Sequence, residues 1–410
     1  MTNITERFIR YAKIDTQSDE ESTSSPSAEK ELVLALLLKK EMEEMGISDI
    51  RLTEKGVLYG FIPSNLPEEK KKSSRSIGLI AHMDTAPSAP GENVSPEIIR
   101  NYDGNDIPLK NGSVIRVKDY PALSTYRGLD LITTDGNTLL GADDKAGIAE
   151  IMEAAETILK NPDIPHGEIS LSFTPDEEIG RGTDSFDLKE FHADAAYTVD
   201  GGPLSEIEYE NFNAAAGTVN ITGVNIHPGS GKNKMINASL LAMEYNALLP
   251  PCTPANTEGY EGFFHLCSLS GTESGCVMKY IIRDHDRNKF AEKKKMFAEA
   301  AETLNRKYSG TDTRVTVNIR DQYYNMKEII EKNFYLIEHA KKAFADAGLT
   351  PATVPIRGGT DGAMLSYKGL PCPNLCTGGE NYHSVYEYIS VQSMEKMTQV
   401  LVNLIASFAE

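Results

Sequence analysis

The chain has 410 residues, with 60 Asp plus Glu against 41 Lys plus Arg and a formal net charge of −19. Its 40% hydrophobic and 25% charged residues are those of an ordinary globular protein, long enough for one large or two smaller cores and neither disordered nor collagen-like. The acidic balance argues against nucleic acid and against anionic membrane surfaces, which both select Lys and Arg. The longest apolar run, 32–38, is far too short to span a bilayer.

The first ten residues lack a basic start followed by an apolar core, so no secretory signal is expected. Five Cys, an odd count at low density, are expected as reduced thiols in a cytoplasmic protein, and Cys372 with Cys376 lacks the second thiol pair of a structural zinc site. Residues 5–14 read as a short amphipathic helix. Ser25 and Pro26 offer an N-cap and a first-turn proline for a Leu-rich helix over 29–45, which Gly46 stops. Residues 57–62 read as a strand and 64–76 as a solvated loop. The apolar run 77–81 suits a strand buried on both faces. Residues 97–128 give no clear element, and Arg116, Lys118 and Tyr120 there are candidates either to approach a substrate or only to cover the core. The run 138–142 reads as a strand end leading into a helix over 144–160, where Ile148, Met152, Ala155 and Leu159 fall at helical spacing. Further strands are expected at 168–173 and 196–199.

Strands alternating with helices predict an α/β fold, a mostly parallel or mixed sheet flanked by helices. After Gly202 the order changes to strand 218–223, helix 234–248, strands 263–270 and 276–282, helix 287–308 and strand 314–319. That is the β-α-β-β-α-β order of a ferredoxin-like sandwich. The expected organisation is a first domain over 1–211 and 323–410, with an inserted ferredoxin-like α+β domain at 212–322. Helices at 327–347 and 391–409 return the chain to the first domain.

Ligands of open α/β sheets sit at the carboxyl ends of the strands. Each candidate strand of the first domain ends in a metal-ligating residue type: His82-Met83-Asp84, Asp143-Asp144-Lys145, Asp176-Glu177-Glu178 and Asp200-Gly201-Gly202. A further histidine, His383, follows Gly378-Gly379-Glu380-Asn381-Tyr382. Two His with several carboxylates suit zinc, cobalt or manganese, and the surplus of carboxylates allows two ions with a shared ligand. In His82-x-Asp84 the carboxylate can hold the second ring nitrogen of a ligating His. Adjacent Glu177 and Glu178 project differently, so one can ligate while the other faces a bound water as general base. Taken singly, each string has a plainer explanation: a surface His–Asp pair, an acidic first turn of a helix, a solvated turn. Their conjunction on one expected sheet face favours chemistry. There is no His-Glu-x-x-His helix and no Gly-x-Ser-x-Gly elbow, and Pro228-Gly229-Ser230-Gly231-Lys232 breaks the phosphate-loop pattern at Asn233.

The strings His82–Thr85, Leu140–Gly147, Phe173–Glu178 and Tyr197–Gly202 resemble those of the di-zinc aminoacylase and carboxypeptidase clan of metallopeptidases, most closely its tripeptide-aminopeptidase branch. Tyr260–His265, Tyr280–Asp284, Pro355–Gly362 and Gly369–Asn374 are similar as well, so the resemblance covers essentially the whole chain. It implies two Zn2+, with Co2+ or Mn2+ as substitutes. His82 and Asp200 would hold one ion, Glu178 and His383 the other, and Asp143 would bridge. It implies that Asp84 orients His82, that Glu177 is the general base and that His227, in an inserted lid, stabilises the oxyanion. Asn237, Arg283, Arg357, Gly358 and Gly359 are implied substrate contacts, Arg being suited to a peptide carboxylate; a structural ion pair for Arg357 and a satisfied turn histidine for His227 are the plainer alternatives. His166, His192, His265, His285 and His339 are expected to be structural or exposed. The expected reaction is release of the N-terminal residue from tripeptides in the cytoplasm, with no nucleic-acid or membrane partner and with a homodimer through the lid as one option. Sibling readings are a dipeptidase, a carboxypeptidase, an acylamino-acid hydrolase or a non-catalytic homologue.

Overall fold

The computed structural model describes residues 3–72 and 74–409. The chain divides into two compact units, Met1–Tyr209 with Glu328–Val354 and Thr360–Glu410, and Glu210–Lys327 with Pro355–Gly359. The first is a mixed α/β unit built on an 8-stranded sheet. Across the sheet the strands run Ser48–Leu52, Leu58–Ile62, Ile169–Thr174, Ile77–His82, Ala195–Gly201, Asn374–Cys376, Glu206–Glu210 and Ala352–Pro355. The central strands Ile169–Thr174, Ile77–His82, Ala195–Gly201 and Asn374–Cys376 pair in parallel, while Leu58–Ile62 and Glu206–Glu210 join them antiparallel. All six residues of Ile77–His82 and of Ile169–Thr174 are buried, as expected of strands covered on both faces.

Helix Ala142–Lys160 packs on this sheet through Ala146, Ile148, Ala149, Ile151, Met152 and Ala155. Gly147 lets it approach: a Cβ there would lie 1.9 Å from the carbonyl oxygen of Val199. Helices Ile4–Ala12 and Val391–Ser407 pack against the same helix. Among the described residues no helix is long and apolar enough to cross a membrane.

Three local expectations fail for identifiable reasons. Helix Glu31–Met45 is not capped by Ser25. Its first residue, Glu31, takes the Ser27 hydroxyl at 3.1 Å and the Ala28 N–H at 3.0 Å, while the Ser27 N–H goes to Asp176 at 2.9 Å. The run 138–142 is not a strand, because the N–H groups of Leu140, Gly141 and Ala142 are all given to the Glu387 carboxylate and none is left for a ladder. Residues 97–128 do form elements: a strand Glu97–Ile99, paired strands Ile107–Pro108 and Val114–Ile115, and a 3-10 turn Pro121–Tyr126. They have their own core of Tyr102, Ile107, Leu109, Ile115, Leu123 and Tyr126 against Tyr388, and Glu97–Ile99 joins a second, 4-stranded sheet with Leu131–Thr133, Tyr388–Ser390 and Gly379–Glu380.

The second unit is a 4-stranded antiparallel sheet in the order Phe263–Gly271, Gly275–Asp284, Asn213–Thr222, Arg314–Tyr323. Helices Ala238–Leu248 and Arg287–Lys307 bury Leu241, Tyr245, Phe297 and Leu304 against Val219, Met278 and Tyr280. Gly217 accommodates the Phe297 ring, which would stand 2.7 Å from a Cβ at that position. Asn237 and Asp286 cap the two helices.

Glu150, on the buried face of helix Ala142–Lys160, has no hydrogen-bond partner for either carboxylate oxygen, and burial pushes its carboxyl well above the usual range. The folded chain therefore keeps this proton at pH values where the unfolded chain has released it, and stability contributed at low pH falls above about pH 4.5. Glu150→Gln removes that dependence. The stability of the variant relative to the parent should rise with pH between pH 5 and 7, by at most about 1.4 kcal/mol per pH unit, as read from urea melts at each pH. A constant difference across that range would show that Glu150 is not held neutral.

Candidate metal centre

At the carboxyl ends of the central parallel strands the first unit gathers the ligand types. His82 closes strand Ile77–His82, Asp200 lies in strand Ala195–Gly201, and strand Ile169–Thr174 leads through Asp176, in a left-handed conformation, into the 3-10 turn Glu177–Ile179. Asp143 stands at the start of helix Ala142–Lys160 in a non-helical conformation that turns it out of the helix. His383 is carried on the hairpin between Gly379–Glu380 and Tyr388–Ser390.

The arrangement centres on Asp143. Its Oδ1 lies 3.0 Å from His82 Nε2, which is also 3.2 Å from Asp200 Oδ1. Its Oδ2 lies 2.9 Å from His383 Nε2, which is also 2.9 Å from Glu178 Oε2. One carboxylate thus serves two His–carboxylate pairs. The donor atoms of His82, Glu177 and Asp200, and those of His82, Asp143 and Glu178, lie within 4.8 Å of one another.

Asp84 ties these elements together. Its two oxygens accept the N–H groups of Glu177 at 2.9 Å and Glu178 at 3.1 Å, and its Oδ1 lies 3.4 Å from His82 Nδ1, which also faces the Asp84 carbonyl oxygen at 3.1 Å. His82 is thereby fixed through the ring nitrogen that points away from Asp143.

The electrostatics show what the site lacks. Burial pushes Asp200 up to about 7, reinforced by Asp143 against the pull of His82. Burial with the Asp143 charge pushes Glu178 up to about 7. Burial first, then the charges of Asp200, Asp361 and Glu178, raise Glu177 well above the carboxylate range against the pull of His82. Asp143 resists its own burial through the hydrogen bonds from His383 and His82 and stays below its ordinary value. The rings respond in kind. His383, bonded to Asp143 and Glu178, is raised to about 11, and His82 is held well above its usual value by Asp200 and Asp143 although burial opposes this. Carboxylates outnumber the cations available to them, and Glu178 Oε1 is buried without a partner. His and carboxylate donors in excess, paired about one shared carboxylate, fit two divalent cations.

Several residues at the site were given no role from the sequence, although Asp144 stands in the Asp143-Asp144-Lys145 string. The Asp144 carboxylate accepts the His82 N–H at 3.1 Å, and Asn374 Oδ1 accepts the Asp200 N–H at 3.2 Å while its amide donates to the buried Glu208 at 2.6 Å. Asp361 takes the Thr174 hydroxyl at 2.9 Å. Their partners are backbone groups or distant side chains, so no spacing rule reveals them.

His227, Asn237, Arg283, Arg357, Gly358 and Gly359 belong to the second unit, and each has a local partner there. His227 Nδ1 accepts the Gly229 N–H at 3.2 Å in an exposed turn. Asn237 Oδ1 caps its helix through Ser239 and Leu240. Arg283 is buried, with Nη1 on the carbonyls of Ala215 and Ile282 and on Gln322. Arg357 is likewise engaged within the second unit. Its Nη1 donates to the carbonyls of Gly259 at 2.7 Å and Glu261 at 3.0 Å, its Nη2 to Thr257, and its guanidinium lies over the Phe212 ring, so it fastens the 257–261 loop. Gly358 accepts the Phe212 N–H at 3.3 Å, and a Cβ on Gly359 would lie 2.6 Å from the Tyr323 ring.

The profile of peptidase family M20/M25/M40 matches residues 133–407. The chain belongs to this family. Among relatives of this M20-family peptidase, Peptidase T of Clostridium perfringens (strain ATCC 13124) is 50% identical over 411 residues, covering 100% of both chains. Peptidase T of Desulfitobacterium hafniense (strain Y51) is 51% identical, covering 100% of this chain and 99% of the relative. The fold is shared with aminopeptidase PepT from Bacillus cereus ATCC 10987, at a TM-score of 0.75 and 23% identity over 100% of this chain and 98% of the other. It is shared also with a dinuclear metal-binding M20 peptidase from Bacillus subtilis, at a TM-score of 0.67 and 13% identity over 98% and 97% of the chains.

Asp84→Ala should strand the Glu177 and Glu178 amides and release His82. The expected result is a loss of about 1–3 kcal/mol for each buried N–H left unsatisfied and a metal affinity lowered about 10–100-fold. Thermal melts and chelator competition measure the two effects, and unchanged metal affinity would exclude Asp84 as the support of His82.

Proposed function

We propose that this M20-family peptidase is a two-zinc aminopeptidase that releases the N-terminal residue of tripeptides. The observation that carries the reading is the Asp143 carboxylate, one oxygen of which faces His82 and Asp200 while the other faces His383 and Glu178. The full-length relatives named Peptidase T supply the substrate class.

In this reading His82 and Asp200 hold one ion, His383 and Glu178 the other, and Asp143 both. When bound, the pair supplies a Lewis acid for the scissile carbonyl and a water acidified to near neutrality. Glu177, free of the ligand role and set beside its neighbour Glu178 by the shared Asp84 clamp, takes the proton of that water and returns one to the departing amine. Asp84 keeps the His82 ring oriented. His227 is the oxyanion donor: its Nδ1 accepts the Gly229 N–H, which leaves Nε2 as the ring atom able to donate.

The same proposal covers the setting of the enzyme. Its five cysteines are unpaired thiols, in keeping with a reducing cytoplasm. A homodimer through the second unit is supported by strand Phe263–Gly271, which lies at the edge of its sheet with residues 267–271 exposed, and by Leu240 and Met243 exposed on helix Ala238–Leu248.

Dialysis against a chelator should abolish tripeptide hydrolysis, and zinc should restore it, with cobalt or manganese as alternatives to rank. Di-, tri- and tetrapeptides assayed beside N-acyl amino acids should show turnover of tripeptides with a free amino terminus; cleavage of acyl amino acids alone would replace the aminopeptidase reading by an acylamino-acid hydrolase. Glu177→Gln should retain both ions and lose about 100- to 10,000-fold in kcat, and unaltered turnover would remove Glu177 as the base.

A further inference from the structure

Glu387 is a buried carboxylate that the reaction described above does not use. It receives consecutive backbone N–H groups: Leu140 at 2.7 Å and Gly141 at 2.9 Å on Oε2, Ala142 at 2.7 Å and Asp143 at 3.2 Å on Oε1. These are the residues that deliver Asp143, and they precede the regular part of helix Ala142–Lys160, which begins beyond the non-helical Asp143 and Asp144, so their N–H groups have no helical partner and are free to bind an anion. The loop can present these groups in a row because Gly141 adopts φ 77°, in the left-handed region.

Glu387 and His383 lie on one hairpin. Strand Gly379–Glu380 pairs with Tyr388–Ser390, Asn381 Nδ2 donates to the Tyr386 carbonyl at 3.1 Å, and Tyr126 braces the hairpin from the Pro121–Tyr126 turn through Glu380 at 2.9 Å. This hairpin touches the Asp143 segment twice, once through His383 Nε2 on Asp143 Oδ2 and once through the Glu387 carboxylate on the amides before it. The His82 side of the centre is held by other means, with Asp144 on the His82 N–H and Asp84 beside the His82 ring.

We propose that Glu387 is a positioning residue that fixes the distance between the shared carboxylate of Asp143 and His383, and so governs occupancy of the His383–Glu178 metal position in preference to the His82–Asp200 position. The inference rests on the two-metal reading. Its chemistry is that of an anchor: a charge-assisted set of N–H bonds holds a loop in the one register at which Asp143 Oδ2 meets its second imidazole.

The test uses the full-length protein, stripped of metal and titrated with zinc by calorimetry and with Co2+ by visible absorption. The parent should bind two ions per chain; fewer than two would overturn the two-metal reading itself, and this inference with it. Glu387→Gln places an amide NH2 against backbone N–H donors. It should keep one ion at parental affinity, lose about 10–100-fold in affinity for the second, and change the cobalt spectrum of the second equivalent alone. Glu387→Asp, which keeps the charge on a shorter stem, should fall between the two and covers the case in which the Gln variant does not fold. Leu404→Ala, a truncation in the core of helix Val391–Ser407, controls for stability loss without contact to the centre. Parental affinity for both ions in the Glu387 variants would overturn the proposal. So would an equal loss of both ions, or a loss that Leu404→Ala reproduces at matched melting temperature.

Discussion

The structure is organised around a concentration of negative charge. Asp143, Glu177, Glu178 and Asp200 meet at the carboxyl ends of buried parallel strands, where burial, with neighbouring like charges, raises the pKa of Glu177, Glu178 and Asp200, and only Asp143, bonded to both imidazoles, stays low. Such a cluster separates or protonates unless cations and N–H donors restrain it. The fold supplies donors from the backbone: Glu177 and Glu178 amides to Asp84, the His82 amide to Asp144, the Asp143 amide to Glu387. Each of these carboxylates sits behind a ligand and holds the backbone that carries it. The outer carboxylates therefore act on the geometry of the inner ones, and the imidazoles of His82 and His383 mark the two places where positive charge is wanted.

Much of this was legible in the sequence because the physics of the parallel sheet is local. A short run without polar residues, such as 77–81, must be a strand covered on both faces, and the first polar residues after it must lie at the sheet's end. His82 follows directly from that rule, and Asp200, Glu177 and Glu178 from their place at or just beyond the ends of the neighbouring parallel strands. Asp143 was singled out by the same rule, applied to a run that did not form a strand. Its position depends on amides captured by Glu387, more than two hundred residues away. Periodicity cannot see such a partner. The same holds for residues 97–128, whose short strands and turn are stabilised by Tyr388 and by pairing with Leu131–Thr133 and have no pattern of their own.

The second unit shows the opposite case, in which the fold was evident and individual roles were not. Strand and helix order was enough to expect a ferredoxin-like sandwich, since alternating burial on antiparallel strands and an amphipathic helix such as Arg287–Lys307 are encoded residue by residue. Arg357 illustrates the limit. An arginine suited to a carboxylate is equally suited to a cluster of carbonyl oxygens, and here the 257–261 loop offers them with the Phe212 and Phe263 rings beneath. Residue type gives the donor; only the fold decides the acceptor.

The adjacency of Glu177 and Glu178 has a physical consequence for how such a centre tolerates change. Both stand on one short 3-10 turn, entered through Asp176 at φ 61° and left through Gly180 at φ 72°. Their amides share one carboxylate, Asp84, and that carboxylate also faces the His82 ring. A displacement of this turn cannot move the residue facing His383 without moving its neighbour, nor either without loosening the support of His82. The two proposed roles, one ionised ligand and one proton acceptor, are thus placed on a single turn, and their difference must come from what surrounds each side chain: His383 for Glu178, the charges of Asp200 and Asp361 for Glu177. The fold separates two roles on adjacent carboxylates by environment, with the backbone held common to both.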